Sequence, residues 1–180
     1  MTTTDTPWEP PVAGTEAEHL VAALDRLRAT FRWKTDGLDA TGLQTRIGAS
    51  TLTLGGLLKH LAVCEDYMTT TKLRGGPIGP PWDTTDLDGS NDWEFSSAAD
   101  DTPEELWAFW EAAVARSQVA VSSDPRPGRE GARPRRDGTP FTLRWILAHM
   151  VMEYARHLGH ADLVRQSIDG QVGDTWISAR

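Results

Sequence analysis

The sequence predicts an all-α protein whose single domain is a four-helix bundle. Three observations predict this class: four segments carry apolar residues at helical spacing, helix-capping residues stand at their ends, and strand-type alternation is nearly absent. Amphipathic helices of about 20–28 residues bury their apolar stripes most economically against one another. We expect residues 1–14 to form a flexible N-terminal arm and residues 15–180 to form the bundle domain.

The first predicted helix begins after Thr15 and ends before Gly37. Thr15 and Glu18 have the spacing of a capping box, in which each side chain binds a free backbone N–H of the first turn. Its apolar stripe consists of Leu20, Leu24, Leu27 and Phe31. This stripe marks the face that we expect to join the core.

The second predicted helix begins near Ser50 or Thr51 and stops at Gly75-Gly76-Pro77. Its apolar stripe consists of Leu54, Leu57, Leu58, Leu61 and Met68. The loop that follows, residues 75–101, carries seven acidic residues and no basic residue. A loop of this length permits a crossover connection between helices of the bundle.

The third predicted helix has the clearest start of the four. Thr102 is its cap, Pro103 occupies the first helical position, and Glu105 completes a capping box. Its buried face consists of Leu106, Phe109, Trp110 and Ala113.

The fourth predicted helix runs from about Pro140 to Asp169, and Gly170 is its natural C-terminal stop. Its apolar stripe consists of Ile146, Leu147, Met150, Tyr154 and Leu158. An arginine-rich loop, residues 122–139, separates it from the third helix.

The composition argues against several classes of function. The chain has 26 acidic and 18 basic residues, a net charge of −8, which disfavours nucleic acids and anionic membranes as partners. No apolar run approaches the roughly 20 residues that span a bilayer, and the first residues do not resemble a signal peptide. The one cysteine, Cys64, excludes an intrachain disulfide. We therefore expect a cytoplasmic protein.

Three of the five histidines lie on the fourth predicted helix, together with Glu153. Glu153 and His157 are four residues apart, so their side chains lie on one side of the helix and can reach one metal ion. His149 and His160 extend the same arc of the helix. They are candidates for an additional ligand or for partners that orient the ligands.

His60 lies on the apolar face of the second predicted helix, where an imidazole needs a partner. His60, Glu153 and His157 would form a three-ligand site with a position left for water or substrate, as catalytic metal sites do. These ligand types suit zinc, nickel, iron or manganese. The spacing alone also allows a solvated face or a core with hydrogen-bonded imidazoles, which are commoner than a metal site.

Two blocks of the sequence resemble the DinB/YfiT-like superfamily, most closely its actinobacterial DUF664 branch. They are residues 52–65, LTLGGLLKHLAVCE, and residues 143–170, which include LRWILAHM and EYARHLGHAD. The resemblance covers about residues 15–170, with the two loops unmatched. It implies an up-down-down-up bundle that holds a divalent metal between its second and fourth helices, here with His60, Glu153 and His157.

The same resemblance implies an activity. The mycothiol-dependent maleylpyruvate isomerase of the superfamily binds its metal with the set His, Glu, His, and many other members have a histidine where this chain has Glu153. We therefore expect a metal-dependent thiol S-transferase or isomerase, with zinc or nickel, a mycothiol-type small-molecule thiol and an electrophilic substrate. Many members pair as dimers, which makes a homodimer an expectation here.

Two alternatives stay open at this point. The first is metal-dependent hydrolysis by a metal-bound water, which needs no thiol. The second is a non-enzymatic stress-response or binding protein with a structural or vestigial metal site. No catalytic residue is defined beyond the metal ligands, and Cys64, at a position that is usually apolar in the superfamily, is expected to be a small buried hydrophobe.

Overall fold

The computed structural model describes residues 9–83 and 92–173, and these form an all-helical bundle with one isolated β-bridge. Its α-helices are α1 (Glu16–Thr35), α2 (Ala40–Leu43), α3 (Leu54–Asp66), α4 (Trp93–Ser97), α5 (Pro103–Ser122) and α6 (Leu143–Asp169). A π-helical segment, Tyr67–Leu73, continues α3. The predicted all-α class is confirmed, and α1, α3, α5 and α6 correspond to the four predicted helices.

The capping boxes of α1 and α5 form as predicted, at Thr15 and Thr102. The predicted start of α3 near Ser50 is wrong by several residues. Thr53 is the cap, because its hydroxyl accepts a hydrogen bond of 3.0 Å from the N–H of Gly56, and the helix begins at Leu54.

The predicted start of α6 at about Pro140 is also too early. Thr142 caps α6 by accepting from the N–H of Trp145, so the helix begins at Leu143. The residues just before it are extended: Thr142 forms the isolated bridge with Glu130, within the arginine-rich loop. Backbone pairing with that loop therefore replaces the first predicted turn of the helix.

Two short helices were not predicted. α2 has four residues, and α4 has five residues within the long acidic loop. Neither spans two helical turns, so neither can show an apolar period. Residues 84–91 of that loop and residues 1–8 of the predicted arm lie outside the described residues. Residues 9–14 contact α1, through the pair Glu9–Arg26 and through Pro11, whose carbonyl lies 2.8 Å from Nε2 of His19.

Ion pairs show how the long helices run. α1 and α6 are parallel, because ion pairs join both their starts and their ends: Glu16–Arg144 and Lys34–Asp162. α3 and α5 are also parallel: Lys59 within α3 pairs with Asp101, just before α5, and Asp66 at the end of α3 pairs with Arg116, farther along α5. α1 and α5 are antiparallel, with the contacts Asp25–Gln118 and Arg32–Glu111. The four helices therefore have the up-down-down-up arrangement that the resemblance implied.

The predicted apolar stripes form the core. The fully buried members include Leu24, Phe31, Leu54, Leu57, Leu58, Leu61, Leu106, Ile146, Met150 and Tyr154. Burial of such side chains removes apolar surface from water and is the main force that holds the four helices together. In the described ranges, no helix combines the length and the apolar character needed to cross a membrane.

Candidate metal centre

The structure brings together the three residues that the sequence singled out as metal ligands. His60 projects from α3, whereas Glu153 and His157 project from α6, one turn apart. Oε1 of Glu153 lies 3.2 Å from Nε2 of His60 and 3.2 Å from Nε2 of His157. The two imidazole rings are 4.6 Å apart between centroids. One oxygen of Glu153 therefore lies between the two histidines. The possible ligand atoms that all lie within 4.8 Å of one another are those of His60, Cys64 and Glu153.

The spacing of these atoms fits a small divalent cation. In a tetrahedral zinc site, bonds of about 2.0–2.2 Å to nitrogen and oxygen place neighbouring donor atoms about 3.4 Å apart. The observed separations of 3.2 Å are close to that distance. Imidazole and carboxylate donors are also the ligand types that zinc and nickel accept. The residues present therefore fit the metal that the resemblance implies.

Each imidazole is held in place through its other ring nitrogen. Nδ1 of His60 lies 2.9 Å from Oε1 of Glu94, and Nδ1 of His157 lies 3.3 Å from Nδ1 of His160. In the tautomer that leaves Nε2 free for a cation, Nδ1–H of His60 donates to Glu94. Ligand histidines in metalloproteins are commonly oriented in this way, by a carboxylate or another polar group behind the ring.

Glu94 reaches His60 because α4 packs closely on α3. Gly56 lies one turn before His60, and a Cβ atom there would come within 3.2 Å of the ring of Phe95. The ring of Phe95 in turn stacks on His60, with centroids 4.7 Å apart. Lys59 secures the same segment by an ion pair with Asp101. The small residue and these contacts together place a carboxylate behind the histidine.

The two other predicted residues have different surroundings. His160 lies behind His157, as described above, in a position to orient that ring. His149 instead stacks on Trp145, with centroids 5.0 Å apart and planes at 5°. Its role as an additional ligand or as a partner of Glu153 stays a prediction.

The charges of the cluster are strongly coupled. The hydrogen bond from His60 is the main reason that the pKa of Glu153 is lowered to about 2. Burial disfavours charge on His60, but hydrogen bonds to Cys64 and to two carboxylates outweigh it and hold the pKa of His60 well above its usual value. Burial, followed by the charge of His60, lowers the pKa of His157 to about 4. The ring of His157 is therefore neutral near pH 7, with a lone pair free for a metal.

Glu94 is the residue of this cluster that the sequence did not reveal. It is one of seven acidic residues in the loop 75–101, and no spacing or period distinguishes it from the others. Hydrogen bonding to His60 is the main reason that its pKa is lowered, so it is a carboxylate at neutral pH. Only the packing of α4 on α3 shows that this carboxylate contacts His60.

A large groove among the described residues lies elsewhere. It has a volume of about 1010 Å³ and separates α1 from α5, with Val21, Ala22, Val119 and Leu147 among its lining residues. The lining of this groove includes none of the side chains at the junction of α3 and α6, which are His60, Cys64, Glu153 and His157. The candidate metal ligands are therefore separate from this groove.

Fold and site together define a helical bundle with a two-histidine, one-glutamate donor set between α3 and α6. The chain belongs to the mycothiol-S-transferase family, whose model matches residues 19–170. This membership confirms the resemblance to the DinB/YfiT-like superfamily, of which that family is a branch. A comparison with curated proteins gave no match for this sequence.

Proposed function

We propose that the protein is a divalent-metal-dependent S-transferase that joins mycothiol, or a closely similar small thiol, to an electrophilic substrate. The observation that carries the proposal is the contact of Glu153 with both His60 and His157 in a member of the mycothiol-S-transferase family. Zinc is the metal that we favour, with nickel as the alternative, because both accept imidazole nitrogen and carboxylate oxygen.

A bound divalent cation would lower the pKa of an adjacent thiol, so that the more nucleophilic thiolate is present at neutral pH. In the overall reaction the thiol sulfur bonds to the electrophilic carbon of the substrate. The leaving group departs with the electrons of the bond that breaks, and the thiol proton passes to solvent.

The side chains around the metal have separate tasks in this proposal. His157 supplies a neutral donor, and His60 would become one when a cation displaces its proton. Glu153 supplies the negative charge that offsets part of the charge of the cation. Glu94 and His160 fix the ring orientations from behind, which raises the affinity of the site. The ring of Phe95 covers one face of His60 and keeps water away from it.

The test combines metal analysis with a transfer assay on untagged protein. Wild type, His157→Ala and the double variant His60→Ala/His157→Ala would be loaded with zinc or nickel, desalted and measured by inductively coupled plasma mass spectrometry. We expect about one metal per chain in wild type and none in the double variant, because three donors hold the ion. We expect mycothiol to be consumed with a haloalkane acceptor only by the loaded wild type.

His19→Ala is the matched control, because it removes a histidine of α1 that contacts Pro11 and not the cluster. It should retain both metal and activity. Full metal content in His157→Ala would contradict the ligand assignment. Turnover of an ester or amide without any thiol would instead favour a hydrolase, and metal binding without any turnover would favour a binding protein.

A further inference from the structure

Cys64 lies beside the proposed ligands, one turn after His60 on α3. Its Sγ atom is 3.6 Å from Nε2 of His60, the same nitrogen that lies 3.2 Å from Glu153. One ligand atom from each of His60, Cys64 and Glu153 lies within 4.8 Å of the other two. A sulfur atom therefore faces the point at which the nitrogen and oxygen donors meet.

The separation of this sulfur from the nitrogen of His60 is compatible with two ligands of one zinc ion. With zinc–nitrogen bonds of about 2.0–2.1 Å and zinc–sulfur bonds of about 2.3 Å, a tetrahedral site separates nitrogen from sulfur by about 3.6 Å. The observed distance between Sγ of Cys64 and Nε2 of His60 is 3.6 Å. Nitrogen–oxygen separations are shorter in such a site, and here they are 3.2 Å.

We propose that Cys64 is a fourth protein ligand of the metal when no substrate thiol is bound. The inference rests on the metal site of the proposed function and adds a thiolate to it. The resting donor set would then be His60, Cys64, Glu153 and His157. A thiolate donor also favours zinc over harder cations such as magnesium or manganese.

This assignment has a consequence for the substrate thiol. Glu94 and His160 hold the two histidines from behind, whereas the contact that the structure shows for Sγ of Cys64 is the one to His60. Replacement of one thiolate by another leaves the charge of the donor set unchanged. A substrate thiolate could therefore take the place of Cys64 on a bound metal without a change in the charge of the donor set.

Cobalt(II) in place of zinc tests the inference by spectroscopy, in buffer free of thiols. We expect wild type to bind one cobalt ion per chain and to show a thiolate-to-cobalt charge-transfer band in the near ultraviolet. Because the chain has one cysteine, that band can arise only from Cys64. Cys64→Ser should lose the band and keep the visible absorption of a site with the other three ligands.

The outcomes separate the two proposals. If wild type binds no cobalt and no zinc, the metal site itself fails. If it binds one cobalt ion without a near-ultraviolet band, the ligand role of Cys64 is overturned and the site of His60, Glu153 and His157 stands.

A second measurement uses only the wild-type chain and so does not depend on the folding of a variant. Iodoacetamide alkylation of Cys64, followed by mass spectrometry, would be compared between zinc-loaded protein and protein treated with a chelator. We expect zinc to slow the single alkylation at least tenfold, because a coordinated thiolate has its lone pair engaged. Equal rates with and without zinc would contradict coordination.

Discussion

Two polar clusters lie side by side between the same helices, and they differ in what their carboxylates face. Cys64 and Glu65 are neighbours on α3, and Glu153 and Tyr154 are neighbours on α6. Adjacent residues of a helix point about 100° apart. One member of each pair therefore faces the metal cluster, and the other faces a network built on Arg28.

The network built on Arg28 is closed. Both oxygens of Glu65 accept hydrogen bonds from Arg28, at 2.8 and 2.7 Å, and Tyr154 donates to Glu65 as well. Trp110 donates to the hydroxyl of Tyr154, and Arg28 also donates to Ser117. Glu65 and Tyr154 are completely buried. The negative charge in this cluster has a fixed positive partner, so its role is to join α1, α3, α5 and α6.

The metal cluster differs in the charge that faces its carboxylate. Glu153 contacts two imidazoles: that of His60, whose pKa is held well above its usual value, and that of His157, whose pKa is lowered to about 4. The positive charge opposite Glu153 is therefore an exchangeable proton on His60 and not a permanent guanidinium charge. The comparison shows that a carboxylate enclosed between helices does not by itself indicate function. A guanidinium opposite it makes the carboxylate structural, whereas metal-ligating groups opposite it create a place for a cation.

The largest expected effect comes from breaking the closed network. Glu65→Gln removes the charge opposite Arg28, which is 5% exposed, and should lower the free energy of unfolding by about 3 kcal/mol. We place the effect at the low end of the usual range because Asp25 still pairs with Arg28 at 2.8 Å. Urea denaturation of the metal-free protein measures it. The folded variant should still bind one zinc. A loss of less than about 1 kcal/mol in the free energy of unfolding would contradict the structural role of Glu65.

The next-largest effect is expected at the metal cluster. Glu94→Ala should weaken zinc binding about 10- to 100-fold, because Glu94 orients His60 but is not a ligand, and should lower the unfolding free energy less than Glu65→Gln does. A competition titration with a chromophoric chelator measures the affinity. Glu104→Ala, which removes an exposed glutamate from the first turn of α5, is the control. Unchanged affinity in Glu94→Ala would remove Glu94 from the site.

A smaller effect distinguishes the two neighbours on α6. Tyr154→Phe removes the hydroxyl that links Glu65 to Trp110 and leaves the buried N–H of Trp110 without that acceptor. We expect a loss of about 1–2 kcal/mol in unfolding free energy. Zinc affinity should stay at the wild-type value although Tyr154 follows the proposed ligand Glu153. Tyr67→Phe is the control, since the contact of Tyr67 with Lys72 uses the ring. Weaker zinc binding by Tyr154→Phe would show that the two clusters are not independent.

The smallest effect is expected at an ion pair of the surface. Glu111→Gln breaks the pair with Arg32, which joins α1 to α5 at 2.6 Å but is about half exposed on both sides. Solvent screens such a pair, so the unfolding free energy should change by less than about 1 kcal/mol. Comparison with Glu65→Gln under the same conditions isolates the contribution of burial. Equal effects of the two substitutions would show that burial does not decide the strength of these pairs.

The sequence by itself determined the class of fold. Capping boxes and apolar stripes act over three or four residues along one helix, so Thr15, Glu18 and the leucines of α3 indicate their helices without knowledge of the tertiary structure. The same local spacing, together with the resemblance, selected His60, Glu153 and His157 as ligands. The starts of α3 and α6 were less accurate, because several threonines and serines compete for the role of cap.

The tertiary structure alone decided which partners complete the site. Glu94 and His60 are 34 residues apart and meet because Gly56 lets α4 approach α3. The local spacing does not show that Cys64 and Glu153 belong to the metal cluster. Nor does it show that their neighbours Glu65 and Tyr154 belong to the network built on Arg28. Those choices depend on how each helix is rotated about its axis against its neighbours. That rotation is set by packing across the whole bundle and not by any local pattern.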